Sequence, residues 1–371
     1  MTQEREIKLY SIGSIIVVLF FIFVGILTYD QLKERYKDYE YERQGASHVT
    51  TRDGVRYYLY RKENKAVVVP LQRKYKKFDI GNSGMYRTTK FYKGHVDIAD
   101  TISYLFHKYP VTEVGKEAFA NCNELESVQL PNTIEVIDEY AFSYCDKLKT
   151  INWPDRLRII EKNAFYACSS LSEVELYGDC RILEDAFYGC ESLERFIYKR
   201  EQVVKPKPET DSSKKSAFEK SIAGGAFRQC NNLKHVEINA VNATFYTYSV
   251  NLIGDSFSPV FAGDTALKEI HISPACRNIF YHNGAVYDFN SLRLIFCLPT
   301  VDSIFYVPEG ITGIYAYAFQ EVPIKEVWLP KTTKYIGEHA FNDSTTIHMP
   351  RNANIEIKDT DFYKKQTIVH Y

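Results

Sequence analysis

The sequence lacks the features that mark nucleic-acid-binding proteins and the common enzyme classes. Lys and Arg number 46 against 47 Asp and Glu, so the net charge of −1 leaves no positive excess to bind a polyanion. Gly-x-Ser-x-Gly, His-Glu-x-x-His, glycine-rich phosphate loops and the dinucleotide fingerprint do not occur. We therefore predict no enzyme activity, no catalytic residues, no cofactor and no nucleic-acid partner.

The sequence also lacks a Cys-x-x-Cys pair, which argues against a zinc site, and we predict no bound metal. Eight cysteines are present, an even number that is also found in secreted disulfide frameworks. Five of them share one position of a repeat: Cys122, Cys145, Cys168, Cys190 and Cys230. We interpret this as a position where a small side chain must fit inside a turn, because a free thiol behaves as a small hydrophobe. Oxidation between neighbouring repeats stays an alternative.

The dipeptide Ala-Phe recurs at a nearly constant spacing in the central part of the chain. Its phenylalanines are Phe119, Phe142, Phe165 and Phe187, separated by 23, 23 and 22 residues. Cys follows three residues after each Phe, Leu follows six after, and apolar residues stand nine and eleven after. A fixed period between about 20 and 50 residues predicts a stacked-repeat architecture.

Each repeat predicts one short strand with a single buried face, because its Leu-x-x-Val-x-Leu run alternates apolar and polar residues. The segment from Ile137 to Phe142 fits either one turn of helix or a tight irregular segment on the far side. One unit cannot enclose its own Phe and Leu, but stacked units can. We therefore predict an α/β repeat solenoid in which the Phe rings form a single elongated spine, about 5 Å apart.

Over most of residues 111–349 the pattern resembles the BspA-like leucine-rich repeats, which run Ile-Gly-x-x-Ala-Phe-x-x-Cys-x-x-Leu-x-x-Ile-x-Leu-Pro. Leu130-Pro131 and Trp153-Pro154 match the Leu-Pro end of this pattern, and Ile336-Gly337 matches its beginning. The resemblance implies a right-handed leucine-rich-repeat stack with a short parallel strand ladder. It also implies a surface protein of a bacterium or protist, with adhesion or binding as the usual role.

An uncharged, mostly apolar run of 19 residues occupies positions 11–29. It is long enough to span a bilayer, it exceeds the usual core of a signal peptide, and no small-x-small cleavage site follows it. We predict that residues 1–29 form a short cytoplasmic tail and an uncleaved transmembrane signal anchor, in preference to a cleaved signal peptide. Residues 30–44 are charged and Tyr-rich, and they predict a short helical stalk.

The charges around this run disagree with the resemblance about orientation. The basic residues are Arg5 and Lys8 before the run and Lys33, Arg35, Lys37 and Arg43 after it. The positive-inside rule therefore places the repeats on the cytoplasmic side. The family resemblance implies that the repeats lie outside the cell, and on that ground we predict a membrane-anchored protein with an extracellular repeat domain.

Two similar hairpin patterns accompany the repeats. One has a turn at Asp53-Gly54 and the other a turn at Asn283-Gly284, and each is followed by an alternating strand that leads into an Ala-Phe repeat. The predicted organisation is a β-hairpin N-terminal cap at 45–110, a repeat solenoid at 111–349 with inserted loops at 199–221 and 241–258 and an inserted hairpin at 279–308, and a C-terminal cap at 350–371.

The outward residues of the predicted strands form a polar strip of mixed charge. In leucine-rich-repeat solenoids such rows line an extended face used for binding. The predicted binding face comprises Gln129, Asn152, Glu175, Arg195, Ile197, His235, Glu237, His271, Glu326, Trp328 and His348. Ile197 and Trp328 are its two exposed apolar members. Trp328 is either an anchor for a partner or a residue that packs under the C-terminal cap.

These patterns predict a cell-surface repeat protein that binds another protein or a surface glycan through the outward strand face. An alternative of a different class is a structural envelope or scaffold component that associates with copies of itself. A weaker alternative is an enzyme that processes cell-wall glycans. The sequence does not identify the ligand.

Overall fold

The computed structural model describes residues 45–76, 85–177, 180–200, 222–245, 260–299, 302–319, 322–359 and 362–371, with the backbone alone at 72–76 and 85–90. The predicted membrane anchor and stalk lie outside these residues, as do most of the two predicted inserted loops. Across the described ranges, no helix combines the length and the apolar character that crossing a membrane requires. The domain boundaries drawn from the sequence stay a prediction.

The described residues form 27 strands and one short helix. The first strands in chain order are β1 (His48–Arg52), β2 (Val55–Tyr60), β3 (Lys65–Val69), β4 (Gln72–Lys76), β5 (Met85–Lys90), β6 (Gly94–Asp97), β7 (Thr101–Tyr104), β8 (His107–Val114), β9 (Leu125–Gln129), β10 (Val136–Ile137), β11 (Thr150–Ile151), β12 (Ile159–Ile160), β13 (Glu173–Tyr177) and β14 (Arg181–Ile182).

The remaining elements complete the chain to its C-terminus. They are β15 (Arg195–Lys199), β16 (His235–Ile238), β17 (Ile270–Ile272), β18 (Ile279–His282), β19 (Ala285–Asp288), β20 (Arg293–Cys297), β21 (Ile304–Tyr306), β22 (Gly313–Ile314), β23 (Glu326–Trp328), β24 (Tyr335–Ile336), β25 (Thr346–Met349), β26 (Glu356–Ile357), the helix α1 (Phe362–Lys365) and β27 (Thr367–His370).

Two parallel ladders run along the stack. The strands that the Leu-x-x-Val pattern predicts form the Leu-side ladder, in which β6, β9 and β11 pair in one sheet, β13, β15, β16 and β17 in a second, and β21, β23, β25 and β27 in a third. The short strands around the regularly spaced Ile residues form the Ile-side ladder. In it, β3, β8, β10, β12 and β14 pair in succession in one sheet, and β20, β22, β24 and β26 pair in succession in another. Every pairing between neighbouring strands of these two ladders is parallel.

The arc between the two ladders consists of turns, which corrects the helical part of the predicted α/β class. Tyr140 and Tyr144 flank Phe142 with φ angles of 56° and 58°, and Asn163 and Ala167 have φ angles of 57° and 56° in the next repeat. Residues in this left-handed region cannot continue a right-handed helix. The tight irregular segment is therefore the correct alternative, and among the described residues only α1, four residues long and between β26 and β27, is helical. The right-handed sense of the stack stays a prediction.

The buried phenylalanines stack on one another through the repeats. The ring centroids of Phe119 and Phe142 are 4.9 Å apart with an interplanar angle of 2°, and those of Phe142 and Phe165 are also 4.9 Å apart. The backbone N–H of Phe142 donates to the carbonyl of Ala164 at 2.7 Å, so the turns themselves are joined from repeat to repeat. The ring stacking and the backbone hydrogen bond both require neighbouring repeats to lie about as far apart as paired strands do.

The core is divided in two at the inserted hairpin, which corrects the prediction of a single spine. Phe296 and Val286 pack with the N-terminal core, whereas Tyr287 and Leu294 pack with the C-terminal core. On β19 successive side chains point to opposite faces of the sheet. On β20 a register shift opposite Val286 and Tyr287 puts Leu294 and Phe296 on opposite faces as well. The hairpin is therefore covered on both faces, by one stack of repeats on each.

The shared cysteine position supplies a hydrogen-bond donor as well as a small side chain. The thiol of Cys145 donates to the carbonyl of Phe119 in the preceding repeat at 3.1 Å, and Cys168 makes the same contact to Phe142 at 3.1 Å. The Phe119 carbonyl also accepts from the backbone N–H of Cys122 at 3.1 Å, so the thiol occupies its second acceptor site. All eight cysteines are free thiols.

Truncation of one stacked ring should destabilise the repeats strongly. Phe165→Ala removes a fully buried ring that contacts rings on both sides, so the free energy of unfolding should fall by about 3–5 kcal/mol. Urea denaturation followed by circular dichroism measures the change. Tyr144→Ala, at a side chain on the exposed side of the turns, is the control and should cost less than about 1 kcal/mol. Similar losses for the two variants would contradict the stacked core.

The buried thiols predict a loss of stability in alkaline solution. Burial raises the pKa of Cys145, Cys190 and Cys230 above the ordinary value of 9.0. The folded chain therefore keeps thiol protons that the unfolded chain releases above about pH 9, so the free energy of unfolding falls as the pH rises. Between about pH 8 and pH 10, each such thiol should account for a loss of about 1 kcal/mol.

Cys145→Ser isolates this effect, because the hydroxyl keeps a donor for the Phe119 carbonyl but does not titrate in this range. Over the same pH interval the variant should lose about 1 kcal/mol less stability than the unmodified chain. Urea denaturation at the two pH values measures both losses. Equal losses would show that this thiol does not contribute to the alkaline sensitivity.

Candidate binding face

The eleven predicted site residues lie on strands of the Leu-side ladder, apart from Asn152, which directly follows β11. Their register places Glu175, Ile197, Glu237 and His271 in one row across four consecutive strands. We call the outward residues of this ladder the ladder face. Because the inserted hairpin separates the two cores, the ladder face has an N-terminal part on β6 to β17 and a C-terminal part on β21 to β27.

The prediction that Ile197 is exposed is wrong, since only 6% of its surface is accessible. Its partners in the register are Glu175 on β13 and Glu237 on β16. Ile197 therefore stands between two longer side chains of the same row, whose methylene groups cover apolar neighbours. It belongs to the ladder face by position but offers little apolar surface to a partner.

Ion pairs between neighbouring strands cover the N-terminal part of the ladder face. Arg195 Nη1 lies 3.0 Å from Glu173 Oε1, and Lys199 contacts the carboxylate of Glu175. The hydrogen bond that Lys199 donates to Glu175 raises the pKa of Lys199, so this amine stays charged. Exposed pairs of this kind contribute less than about 1 kcal/mol each. They leave a face with charges of both signs.

Two outward histidines lie beside a carboxylate that stays ionised. His235 Nε2 is 3.5 Å from Glu237 Oε2, and His271 is the partner of Glu237 in the register. The amide of Asn239 donates to Glu237 at 2.6 Å and is the main cause of the lowered pKa of that carboxyl group. The group therefore presents a fixed negative charge next to two imidazole rings.

The structure also brings together three polar residues that the sequence did not single out. His95 Nδ1 lies 2.7 Å from Ser127 Oγ, and His95 Nε2 lies 2.9 Å from Asp97 Oδ1. The parallel register of β6 and β9 pairs His95 with Ser127. The side chains of His95 and Asp97 are 57% and 72% exposed, so this trio lacks the water-excluded surroundings in which acyl-transfer chemistry is efficient. Recognition of β6 as an additional rung of the ladder would have found it.

The C-terminal part of the ladder face carries an aromatic stack. The Trp328 and His348 rings are parallel with centroids 3.7 Å apart, and the Tyr306 ring stacks on the other side of Trp328 at 5.9 Å. Tyr371 contacts Trp328 at 5.3 Å, and its hydroxyl donates to the Leu329 carbonyl at 2.6 Å. Trp328 is therefore half-buried and packs against the C-terminal segment, as one of the two predicted alternatives states.

Several large apolar side chains are exposed around this stack. We call them, together with Trp328, the aromatic patch: Ile304, Tyr306, Trp328, Val369 and Tyr371. Tyr306 is 62% exposed. Four of these five were not predicted, because β21 and β27 belong to units without an Ala-Phe dipeptide. The alternation of Ile304 and Tyr306 with buried neighbours is the signal that would have indicated them.

Within the described ranges, no group of three or more His, Cys, Asp or Glu residues is placed to hold a metal ion.

Repeats of 22 or 23 residues that contribute one strand each to a parallel ladder define a leucine-rich-repeat solenoid. The model of the BspA type leucine-rich repeat region matches residues 100–205 and 312–370 in six copies. Residues 100–205 and 312–370 thus carry leucine-rich repeats of the BspA type. No protein of curated function matches the chain.

Two solved structures are similar to this chain at low sequence identity. The pneumococcal vaccine antigen PcpA is 17% identical, with 87% of this chain and 78% of that chain covered and a TM-score of 0.57. A leucine-rich cell surface protein from Faecalibacterium prausnitzii is 18% identical, with 86% and 78% covered and a TM-score of 0.48. The likeness to PcpA supports the same fold and does not assign a ligand.

Trp328→Ala should destabilise the C-terminal core, because the indole contacts three rings. We expect the free energy of unfolding to fall by about 2–4 kcal/mol. Tyr306→Ala removes a mostly exposed ring and should cost less than about 1 kcal/mol. Hydrogen exchange of the amides in β23 and β25 measures both changes. If Trp328→Ala left that exchange unchanged, the indole would be an outward anchor without a structural role.

Proposed function

We propose that the chain is anchored in a membrane through residues 11–29, displays its repeats outside the cell and binds another protein through the ladder face. The aromatic patch is the observation that carries this proposal. Contiguous exposed apolar side chains are uncommon on the surface of a soluble monomer and mark interaction sites. Aromatic residues are also enriched at the centres of protein interfaces.

The geometry of the patch favours a protein over a glycan. Tyr306, Trp328 and His348 stack on one another along the ladder, so rings on both sides cover the faces of Trp328. A flat sugar ring therefore cannot stack on the central indole of the patch. Ile304 and Val369 add exposed aliphatic surface beside the rings, and such surface suits the apolar side chains of a partner protein.

The exposed members of the patch allow a test that leaves the fold intact. The full-length chain is used to capture surface proteins from cells, the captured protein is purified, and its affinity is measured for three forms of the chain. Tyr306→Ala should weaken binding at least tenfold, because a central aromatic side chain is worth about 2 kcal/mol or more. Tyr144→Ala, on the turn side of the repeats, is the matched control and should not change the affinity.

Equal affinity of the two variants would exclude the aromatic patch as the contact. A partner that proves to be a second copy of the chain would support the scaffold alternative, and sedimentation of the purified chain measures this directly. Protease treatment of intact cells tests the display of the repeats. Complete protection of the repeats would show the reverse orientation, which the basic residues after the apolar run favour.

A further inference from the structure

The Leu-side ladder is interrupted between the second and third repeats, at Phe142 and Phe165. Strand β11 pairs with β9 but not with β13, which pairs only with β15. On the opposite side of the stack the Ile-side ladder is continuous, since β10, β12 and β14 pair in succession. The two repeats are therefore in contact through their rings and their Ile-side strands, and separated where their Leu-side strands would meet.

A tryptophan occupies the position where the neighbouring repeats carry leucine. Trp153 corresponds to Leu130 in the preceding repeat and to Leu176 in the following one. Its indole contacts Phe165 at 5.3 Å and Phe187 at 6.0 Å, which are the rings of the next two repeats. An indole is much larger than a leucine side chain, and packed cores do not absorb extra volume without a shift of the backbone. We attribute the separation of β13 from β11 to this residue.

The neighbouring Asn152 makes its hydrogen bonds on the opposite edge of β11, towards the first repeat. Asn152 Oδ1 accepts a hydrogen bond from the Leu130 N–H at 2.6 Å, and its Nδ2 donates to the Leu130 carbonyl at 2.8 Å. The side chain thus satisfies backbone groups that an adjoining strand would otherwise satisfy. Asn152 therefore ends the pairing of β11 with β9, and Trp153 is the residue beside the gap that departs from the repeat.

The gap is a groove of about 320 Å³ with a polar lining. This volume lies at the lower end of the range of about 300–1,000 Å³ for ligand pockets. Glu173 and Glu175 line it and are already paired with basic residues. Lys149 and Asp155 also line the groove and add one charge of each sign.

We propose that this groove binds an extended peptide segment of a partner protein, which adds to the open edge of β13 as a strand. An extended peptide repeats its N–H and C=O groups at the spacing of a strand edge, about 3.3 Å per residue, and a sugar does not. An unpaired strand edge is a template for such pairing. Lys149 and Asp155 offer contacts to charged side chains of the peptide. The proposal rests on the proposed function, since it names the kind of segment that the ladder face takes.

Trp153→Leu gives a direct test, because leucine is the residue that the preceding and following repeats carry at this position. In the unmodified full-length chain, the amides of β13 that face the groove should exchange faster than those of β16, which is paired on both sides. In Trp153→Leu we expect β13 to pair with β11 and its amide exchange to slow at least tenfold. Leu176→Met, a conservative change at the same repeat position, is the control and should leave the exchange unchanged.

The binding test uses a library of random linear peptides displayed on phage and selected on the full-length chain. Selected peptides should lose at least tenfold in affinity for Trp153→Leu and should bind Leu176→Met normally. Methylation of alternate backbone nitrogens of the peptide should abolish binding, because strand addition depends on those N–H groups. Peptides that bind Trp153→Leu equally well, or a selection that yields no peptide, would overturn the proposal. A glycan-array signal that depends on Trp153 would overturn the peptide as occupant.

The same peptides distinguish the groove from the aromatic patch. Tyr306→Ala lies in the C-terminal part of the ladder face and should leave peptide binding unchanged. Peptides sensitive to Trp153→Leu alone would support the groove even if the captured partner proved insensitive to Tyr306→Ala. Peptides sensitive to Tyr306→Ala alone would place the contact on the aromatic patch and overturn the groove.

Discussion

The stacking of one buried phenylalanine per repeat is the contact on which the rest of the structure depends. No repeat encloses its own ring, so Phe142 is covered by Phe119 on one side and Phe165 on the other, each at 4.9 Å. That distance is close to the separation of hydrogen-bonded strands, so the ring column and the two ladders support the same repeat spacing. The Cys145 thiol follows from this geometry too, because the stacked turn places the Phe119 carbonyl within its reach.

The inserted hairpin divides the hydrophobic core into an N-terminal and a C-terminal part. A repeat at the end of a stack needs an apolar surface to cover its outermost ring, and β19 and β20 provide one on each face. Phe296 contacts Phe261 at 5.7 Å at the end of the N-terminal stack, whereas Tyr287 belongs to the C-terminal core. The ladder face consequently consists of two parts with different chemistry. One is polar with paired charges, and the other carries the aromatic patch.

Both proposed contact sites lie where the chain departs from its own repeat. Trp153 replaces a leucine and interrupts the ladder, and Tyr306 belongs to a strand whose unit has no Ala-Phe dipeptide. In a regular repeat the apolar side chains pack in the core of the stack, and the residues between the apolar positions pair with similar residues on adjacent strands. Departures from local consistency are expected at functional sites, because a binding site needs surface that the fold itself does not satisfy.

The sequence by itself determined the repeat, its period, its buried positions and the side of each strand that faces outward. It did so because every repeat needs the same types of residue at the same positions. It left the turns open between helix and irregular structure, and it did not indicate the burial of Ile197, the second core, the polar contact between His95 and Ser127, or the gap beside Trp153. Only the tertiary structure decided these features. Each depends on contacts between residues from different repeats or hairpins, as when one indole reaches the rings of the next two repeats, and periodicity does not encode such contacts.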